Sequence, residues 1–330
     1  MKRSYLITLA LVIVSGAIGF FSGKHFSKNK ERKKAVITEP ANATQELRLS
    51  EYKLISPLLE CDTYRPANEA GIVTLENRVK QAIDSAKNSG KISHVSFYYR
   101  DLKNGPWIGI GEKDNFSPAS LLKVPIMIAV LKKAENEPAF LKTKIKYDKP
   151  FDTGLVPNVK DSTIKTGNTY SVETLIYKMI VHSDNEARML LLQNIEATFL
   201  NKVYMDLGID VSNFDDRKDF MSVKTYSSFF RLLYNATYLN RTNSEKALQI
   251  LTHIDFRDGL PAMLPSNTIV AHKFGERGYL NANIRQLHDC GIVYKDNSPY
   301  LICIMTRGTD IKEQTRLIAA ISGLVYNTHK

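Results

Sequence analysis

The order of patterns along this 330-residue chain predicts an α+β fold. Near the start, Val95, Phe97 and Tyr99 alternate, a turn follows, and a second apolar stretch begins at Trp107, which reads as a hairpin. Three more strand patterns lie at the end, over 268–274, 289–294 and 300–306. Between them, residues from about 120 to 255 read mostly as helices joined by polar loops. Strands from both ends with helices inserted between them imply one antiparallel sheet built from both termini, with a helical lobe beside it.

Taken in order, Met1-Lys2-Arg3 precedes an apolar run from Tyr5 to Phe21. Residues 1–23 read as an N-terminal membrane anchor rather than a cleaved signal, because no small-x-small cleavage site precedes the basic patch. Positive charge flanks both ends of the run and is denser after it, so the charge rule leaves the orientation open. Residues 24–69 read as a basic tether ending in a docking segment around Leu54-Ile55-Ser56-Pro57-Leu58-Leu59. Residues 1–34 hold eight Lys and Arg against one Glu, so +7 of the net +11 sits there and only +4 remains elsewhere. A mildly basic body with no repeated basic-aromatic pattern argues against nucleic acid as a partner.

The folded body is expected over 70–330. A helix over 73–89 carries Leu75, Val79 and Ile83 on one face, and a strand over 91–100 follows. Asp101 to Pro106 turn the chain into the strand at 107–111. Pro118 and Ala119 suit a loop entering a helix that runs from Leu121 to the charged Lys132-Lys133-Ala134-Glu135. Ser171 caps a helix carrying Leu175, Ile176, Met179 and Ile180. His182 to Asn185 form a tight loop before a helix over 186–192, and another amphipathic helix covers 226–238. Lys295 to Pro299 join the last two strands as a hairpin, and a helix over 311–326 closes the chain. The three cysteines, Cys61, Cys290 and Cys303, have no metal-ligand spacing. Cys290 and Cys303 fall on adjacent strands and read as two buried free thiols rather than a disulfide.

Three short clusters carry chemistry. Ser120 and Lys123 are three apart and share a helix face at the mouth of the helix, where developing negative charge is favoured. A serine is a weak nucleophile until a neighbour takes its proton, and a lysine in a dry pocket near other cations can lose its charge and do so. In the second cluster, the Ser183 hydroxyl can pass a proton, the Asn185 amide can hold a carbonyl, and Asp184 secures the loop. In the third, Lys273 supplies fixed positive charge at a strand end, and Gly275 lets a flat substrate approach the backbone.

Together and in order, Ser120-x-x-Lys123, Ser183-Asp184-Asn185 and Lys273-Phe274-Gly275 resemble the signature of class A β-lactamases and the related D-alanyl-D-alanine peptidases. The similarity covers about 70–330 and includes Ser117-Pro118-Ala119-Ser120 and the run Val181 to Ala187. It implies the β-lactamase/transpeptidase-like fold and a serine acyl-transfer hydrolase without metal or cofactor. It implies Ser120 as nucleophile, Lys123 as base, Ser183 as proton donor to the leaving nitrogen and Lys273 as electrostatic partner. Asn185, Phe274, Gly275 and Glu276 would bind substrate, with the backbone N–H groups of Ser120 and Glu276 holding the oxyanion. Expected partners are a peptidoglycan peptide or a β-lactam, and the membrane through the N-terminal segment. The site would then work on the outer face of a bacterial cell membrane.

Two departures bear on substrate. The lactamase branch uses a glutamate between the second and third motifs to activate water, and no glutamate lies between Glu196 and Glu245. Only Asp206, Asp210, Asp215, Asp216 and Asp219 are offered there, and the interval from Ser183 to Lys273 is shortened. Phe274 replaces the usual threonine and removes a hydroxyl that helps bind substrate carboxylate. The alternatives are a true β-lactamase with an aspartate as deacylation base, or a non-catalytic wall-binding protein retaining the fold.

Overall fold

The two ends of the chain meet in one sheet in the computed structural model. The structure describes residues 52–57, 70–103, 105–151, 163–211, 218–279, 282–296 and 298–329, all within the unit Glu46–Lys330. The expected anchor, the tether up to residue 51, Leu58, Leu59, Cys61, Asp215 and Asp216 lie outside the described residues. Among the described residues no helix is long and apolar enough to cross a membrane.

Helix α1 (Ala70–Lys87) leads into β1 (Ile92–Asp101) and β2 (Trp107–Ile110). Strand β3 (Asn115–Phe116) and a 3₁₀ turn (Ala119–Leu122) precede α2 (Lys123–Asn136). The lobe continues through β4 (Lys144–Lys146), β5 (Thr169–Ser171), α3 (Val172–Val181), α4 (Asn185–Leu192) and α5 (Ala197–Asp206). Strand β6 (Met221–Ser222), α6 (Val223–Tyr234) and α7 (Arg241–Leu251) complete it. Strands β7 (Ile269–Tyr279), β8 (Ala282–Lys295) and β9 (Ser298–Gly308) return before α8 (Ile311–Thr328).

The main sheet has the order β2-β1-β9-β8-β7, every pair antiparallel. Strand alternation sorts its side chains onto two faces. Val270, Val293, Tyr300, Ile302 and Ile304 pack with Leu75, Val79, Ile318 and Ile321 of α1 and α8. Ala271, Cys290, Ile292, Leu301, Cys303 and Met305 face the lobe. There α2 is the central rod: Val124 to Leu131 are all buried, because a helix apolar on every side can only sit inside.

Four expectations are corrected. Strand β7 runs on to Tyr279 and β8 starts at Ala282, so a long hairpin joins them; the polar sequence around Arg277 and Arg285 hides it because this end faces water. The helix expected over 226–238 starts at Val223, capped by Ser222 Oγ accepting from Thr225 N at 3.1 Å, and stops at Tyr234 before Ala236 turns to φ 49°. The helix after Pro118 is preceded by a 3₁₀ turn. Cys290 and Cys303 are directly opposed across β8 and β9 and form a disulfide, not two free thiols. Cross-strand neighbours bring sulfur atoms together, which sequence separation alone does not reveal.

The docking segment is seen at 52–57. Leu54 and Ile55 are buried, and the Glu245 carboxylate of α7 accepts from Leu54 N at 3.0 Å and Ile55 N at 2.9 Å. Ser56 N donates to Tyr234 O at 2.8 Å, and Tyr294 Oη donates to Leu54 O at 3.0 Å.

Candidate active site

The turn that carries Ser120 is fastened from both sides. Gln286 Oε1 accepts from Ser117 N at 3.1 Å, and His288 Nε2 donates to Ser117 O at 2.9 Å. His288 Nδ1 accepts from Thr306 N at 3.3 Å, which places its hydrogen on Nε2. Burial pushes His288 down to about 4, so the ring is neutral at physiological pH and suits that bond. Tyr226 Oη donates to Leu121 O at 3.1 Å from the lobe side. Ala119, between these anchors, takes φ 48°, a left-handed conformation that costs an alanine about 1–2 kcal/mol and persists only where the surroundings impose it.

Past Ala119 the chain enters the 3₁₀ turn, with Lys123 N donating to Ser120 O. Side chains three apart eclipse one another in that geometry, so Lys123 stands directly over Ser120. The amine lies 3.1 Å from Ser120 Oγ, 3.0 Å from Ser183 Oγ, 2.8 Å from Asn185 Oδ1 and 2.5 Å from Ser183 O. Lys123 is 1% exposed. Burial, then the charges of Lys273 and Arg188, hold its pKa well below the ordinary lysine range; Asp184 opposes them. A neutral amine has two hydrogens and one lone pair. The carbonyl of Ser183 and the Asn185 amide oxygen can only accept, so they take the hydrogens and leave the lone pair to a hydroxyl.

Ser183 sits between two helices at φ 55°. Asp184 caps α4, accepting from Ala187 N at 3.0 Å, and its other oxygen accepts from Thr163 Oγ1 at 2.8 Å. Glu186 accepts from Tyr147 Oη at 2.5 Å and Phe151 N at 2.9 Å. The two carboxylates flanking Asn185 therefore tie this loop to both neighbouring segments. His182, one residue before Ser183, pairs with Asp255 through Nδ1 and Oδ2 at 2.6 Å.

Lys273 is on edge strand β7 and fully buried. Its amine donates to Ser183 Oγ and to Phe274 O, each at 3.1 Å, and burial draws its pKa down to about 7. Its cross-strand partner is Cys290, so the disulfide lies beside it. The Phe274 ring neither fills the deep core nor hangs free: it stacks on Phe256 at 4.5 Å, with the Lys273 amine 4.1 Å from its centroid. Gly275 packs so tightly on the turn that carries Ser120 that a Cβ there would meet Pro118 O at 2.9 Å and Leu121 N at 3.2 Å. Glu276, next along β7, is partly exposed.

The structure thus assembles Ser120, Lys123, Ser183, Asn185, Lys273, Phe274 and Gly275. Sequence reasoning missed Gln286, His288 and Tyr226, which hold the turn around Ser120, and Asp255 and Phe256, which touch the flanks of the other two motifs. Only the burial of polar types inside strand patterns could have flagged the first two. Of the aspartates considered for deacylation, Asp206 is engaged by Lys202 and Tyr238, both at 2.8 Å. Asp219 is engaged by Arg307 at 2.7 Å and Gln286 at 2.9 Å. Among the described residues no cluster of His, Cys, Asp or Glu could hold a metal ion.

An antiparallel sheet against a helical lobe, with a buried lysine between two serines, defines a β-lactamase/transpeptidase-like serine hydrolase. The Beta-lactamase enzyme family matches residues 74–329, and the chain belongs to that family. Beta-lactamase VEB-1 of Pseudomonas aeruginosa is 28% identical over 238 residues, spanning 64% of this chain and 78% of that one. A beta-lactamase from Chitinophaga pinensis superposes with TM-score 0.67 at 20% identity, covering 76% of this chain and 99% of its own. PBP-A superposes with TM-score 0.66 at 20% identity, covering 81% and 98%.

Proposed function

We propose that the protein is an acyl-transfer enzyme acylated on Ser120 by D-alanyl peptide amides of peptidoglycan, or by β-lactams that mimic them. The carrying observation is the Lys123 amine, 3.1 Å from Ser120 Oγ and 3.0 Å from Ser183 Oγ. The neutral amine takes the Ser120 proton as Oγ attacks the carbonyl carbon. Backbone N–H groups of Ser120 and Glu276 hold the oxyanion, and the Asn185 Nδ2 group and Gly275 align the substrate. As the C–N bond breaks, Ser183 gives its proton to the leaving nitrogen and regains one from Lys123, with cationic Lys273 stabilising the Ser183 oxygen. The acyl-enzyme then passes to water or an amine. The apolar run before the body would anchor the protein to the membrane, with the site outside the cytoplasm. The Cys290–Cys303 disulfide supports that placement, since such bonds persist in oxidising compartments.

Slow release of the acyl group is favoured by Asp206 and Asp219 being committed to other partners and by the missing glutamate. Mass spectrometry after exposure to a β-lactam tests both steps. A stable adduct on Ser120, absent in Ser120→Ala, supports the peptidase-like branch; no adduct and no turnover refutes the reading. The similarity to VEB-1 favours a second reading, hydrolysis of β-lactams with an aspartate as deacylation base. In that case Asp215→Asn or Asp216→Asn traps the acyl-enzyme that the parent turns over.

A further inference from the structure

We propose that Asp255 and Phe256, consecutive residues after α7, form a positioning clamp that sets Ser183 against Lys273. Asp255 grips the second motif: its Oδ2 lies 2.6 Å from His182 Nδ1, and its backbone N donates to Val181 O at 3.3 Å. Phe256 grips the third: its ring stacks on Phe274 at 4.5 Å with 30° between the planes. Phe274 in turn holds Lys273, whose amine lies 4.1 Å from that ring's centroid and donates to the Phe274 carbonyl at 3.1 Å. Two adjacent residues therefore hold the immediate neighbours of both Ser183 and Lys273, and those two meet at 3.1 Å from Oγ to Nζ.

The clamp answers a need of the backbone. Ser183 has φ 55°, which lasts only where neighbours over-determine it. The loop's own bonds, from His182 N and Asp184 N to Lys178 O, are 3.2 and 3.3 Å long. The ring of Tyr177 also meets His182 edge-on, at 5.9 Å and 73°. The His182 and Asp255 side chains are 29% and 38% exposed, and pairs that open to water contribute little to global stability. A shift of 1 Å at a proton-transfer contact, by contrast, can cost about a hundredfold in rate. The clamp is thus expected to act on geometry at the site, and it rests on the reading of Ser183 and Lys273 as acylation groups.

The test uses the full chain and a fluorescent penicillin, with a concentration series separating initial binding from the limiting acylation rate of Ser120. Asp255→Ala and His182→Ala should each lower that limiting rate about tenfold to a hundredfold, with binding and melting temperature little changed. Their combination should be no worse than either alone, as for two halves of one contact. Phe256→Ala should behave likewise, and Phe256→Tyr, which keeps the stack, should restore the rate. Parent-like limiting rates in Asp255→Ala and Phe256→Ala overturn the clamp. Amide exchange gives a readout that needs no substrate: the His182 and Asp184 amides should exchange about tenfold faster in Asp255→Ala while those of β9 do not change. If the parent is not acylated at all, the hydrolase reading falls. The clamp is then still decided by exchange, faster at those amides upholding it and unchanged overturning it.

Discussion

Lys123 Nζ stands 3.1 Å from Ser120 Oγ because a 3₁₀ turn, not an α-helical one, separates the two residues. Eclipsed side chains at i and i+3 leave the amine little choice but to face the hydroxyl. The contacts of that amine with Ser183 and Asn185 then draw the second motif onto the first.

Acylation should follow a bell in pH. Its rate rises as Lys123 loses its proton, at a pH well below the ordinary lysine range, since only the free amine accepts a hydrogen. It falls above about 7, as Lys273 loses the charge that steadies the Ser183 oxygen. Lys273→Arg should remove the alkaline limb, because a guanidinium does not titrate there. An alkaline limb unmoved in Lys273→Arg would assign it to another group. The same shift acts on stability. Unfolded lysines titrate near 10.4. Between about 7 and that value the unfolded chain binds more protons than the folded one, so the Lys273 contribution makes the fold more stable as pH rises.

Gly275→Ala should damage catalysis more than folding. The added Cβ meets backbone atoms of Pro118 and Leu121, which flank Ser120, and backbone cannot rotate aside. Displacing the Ser120 turn from β7 by a few tenths of an ångström or more should lower acylation by about tenfold to a hundredfold. Stopped-flow acylation beside a thermal melt measures both effects, and an unaltered rate would show that the turn can give way.

Glu245→Ala should loosen the segment at 52–57. It leaves the buried N–H groups of Leu54 and Ile55 without their acceptor, at a cost of about 1–3 kcal/mol for each. Urea denaturation should show a lower midpoint, and limited proteolysis should cut ahead of α1 sooner, with acylation of Ser120 unchanged. A midpoint equal to the parent's would mean that the segment contributes nothing to stability.

The disulfide is checked directly. Digestion without reductant should yield one cross-linked pair of peptides carrying Cys290 and Cys303. Recovery of both as alkylated thiols would contradict the bond. Breaking it should destabilise the fold by about 1–3 kcal/mol, at or below the value for a free loop of similar length, because the β8–β9 hairpin already closes that loop.

The sequence alone determined the architecture and which residues to look for at the candidate site. Alternation at Val95, Phe97 and Tyr99, the helical run after Ser120 and the three ordered motifs are local patterns, and local patterns survive being read in one dimension. Tertiary structure decided what those groups can do. Only folding brings Ser183 and Lys273 to the Lys123 amine, buries both lysines and lowers their pKa. Pairing across strands joined Cys290 to Cys303, which the sequence placed on adjacent strands without fixing that they stand directly opposite. The role of Phe274 was equally hidden, because a ring's partner is set by which strand edge and which loop come together, and Phe256 lies eighteen residues away. Distances between remote segments arise from packing of the whole core, and no short window of sequence contains that information.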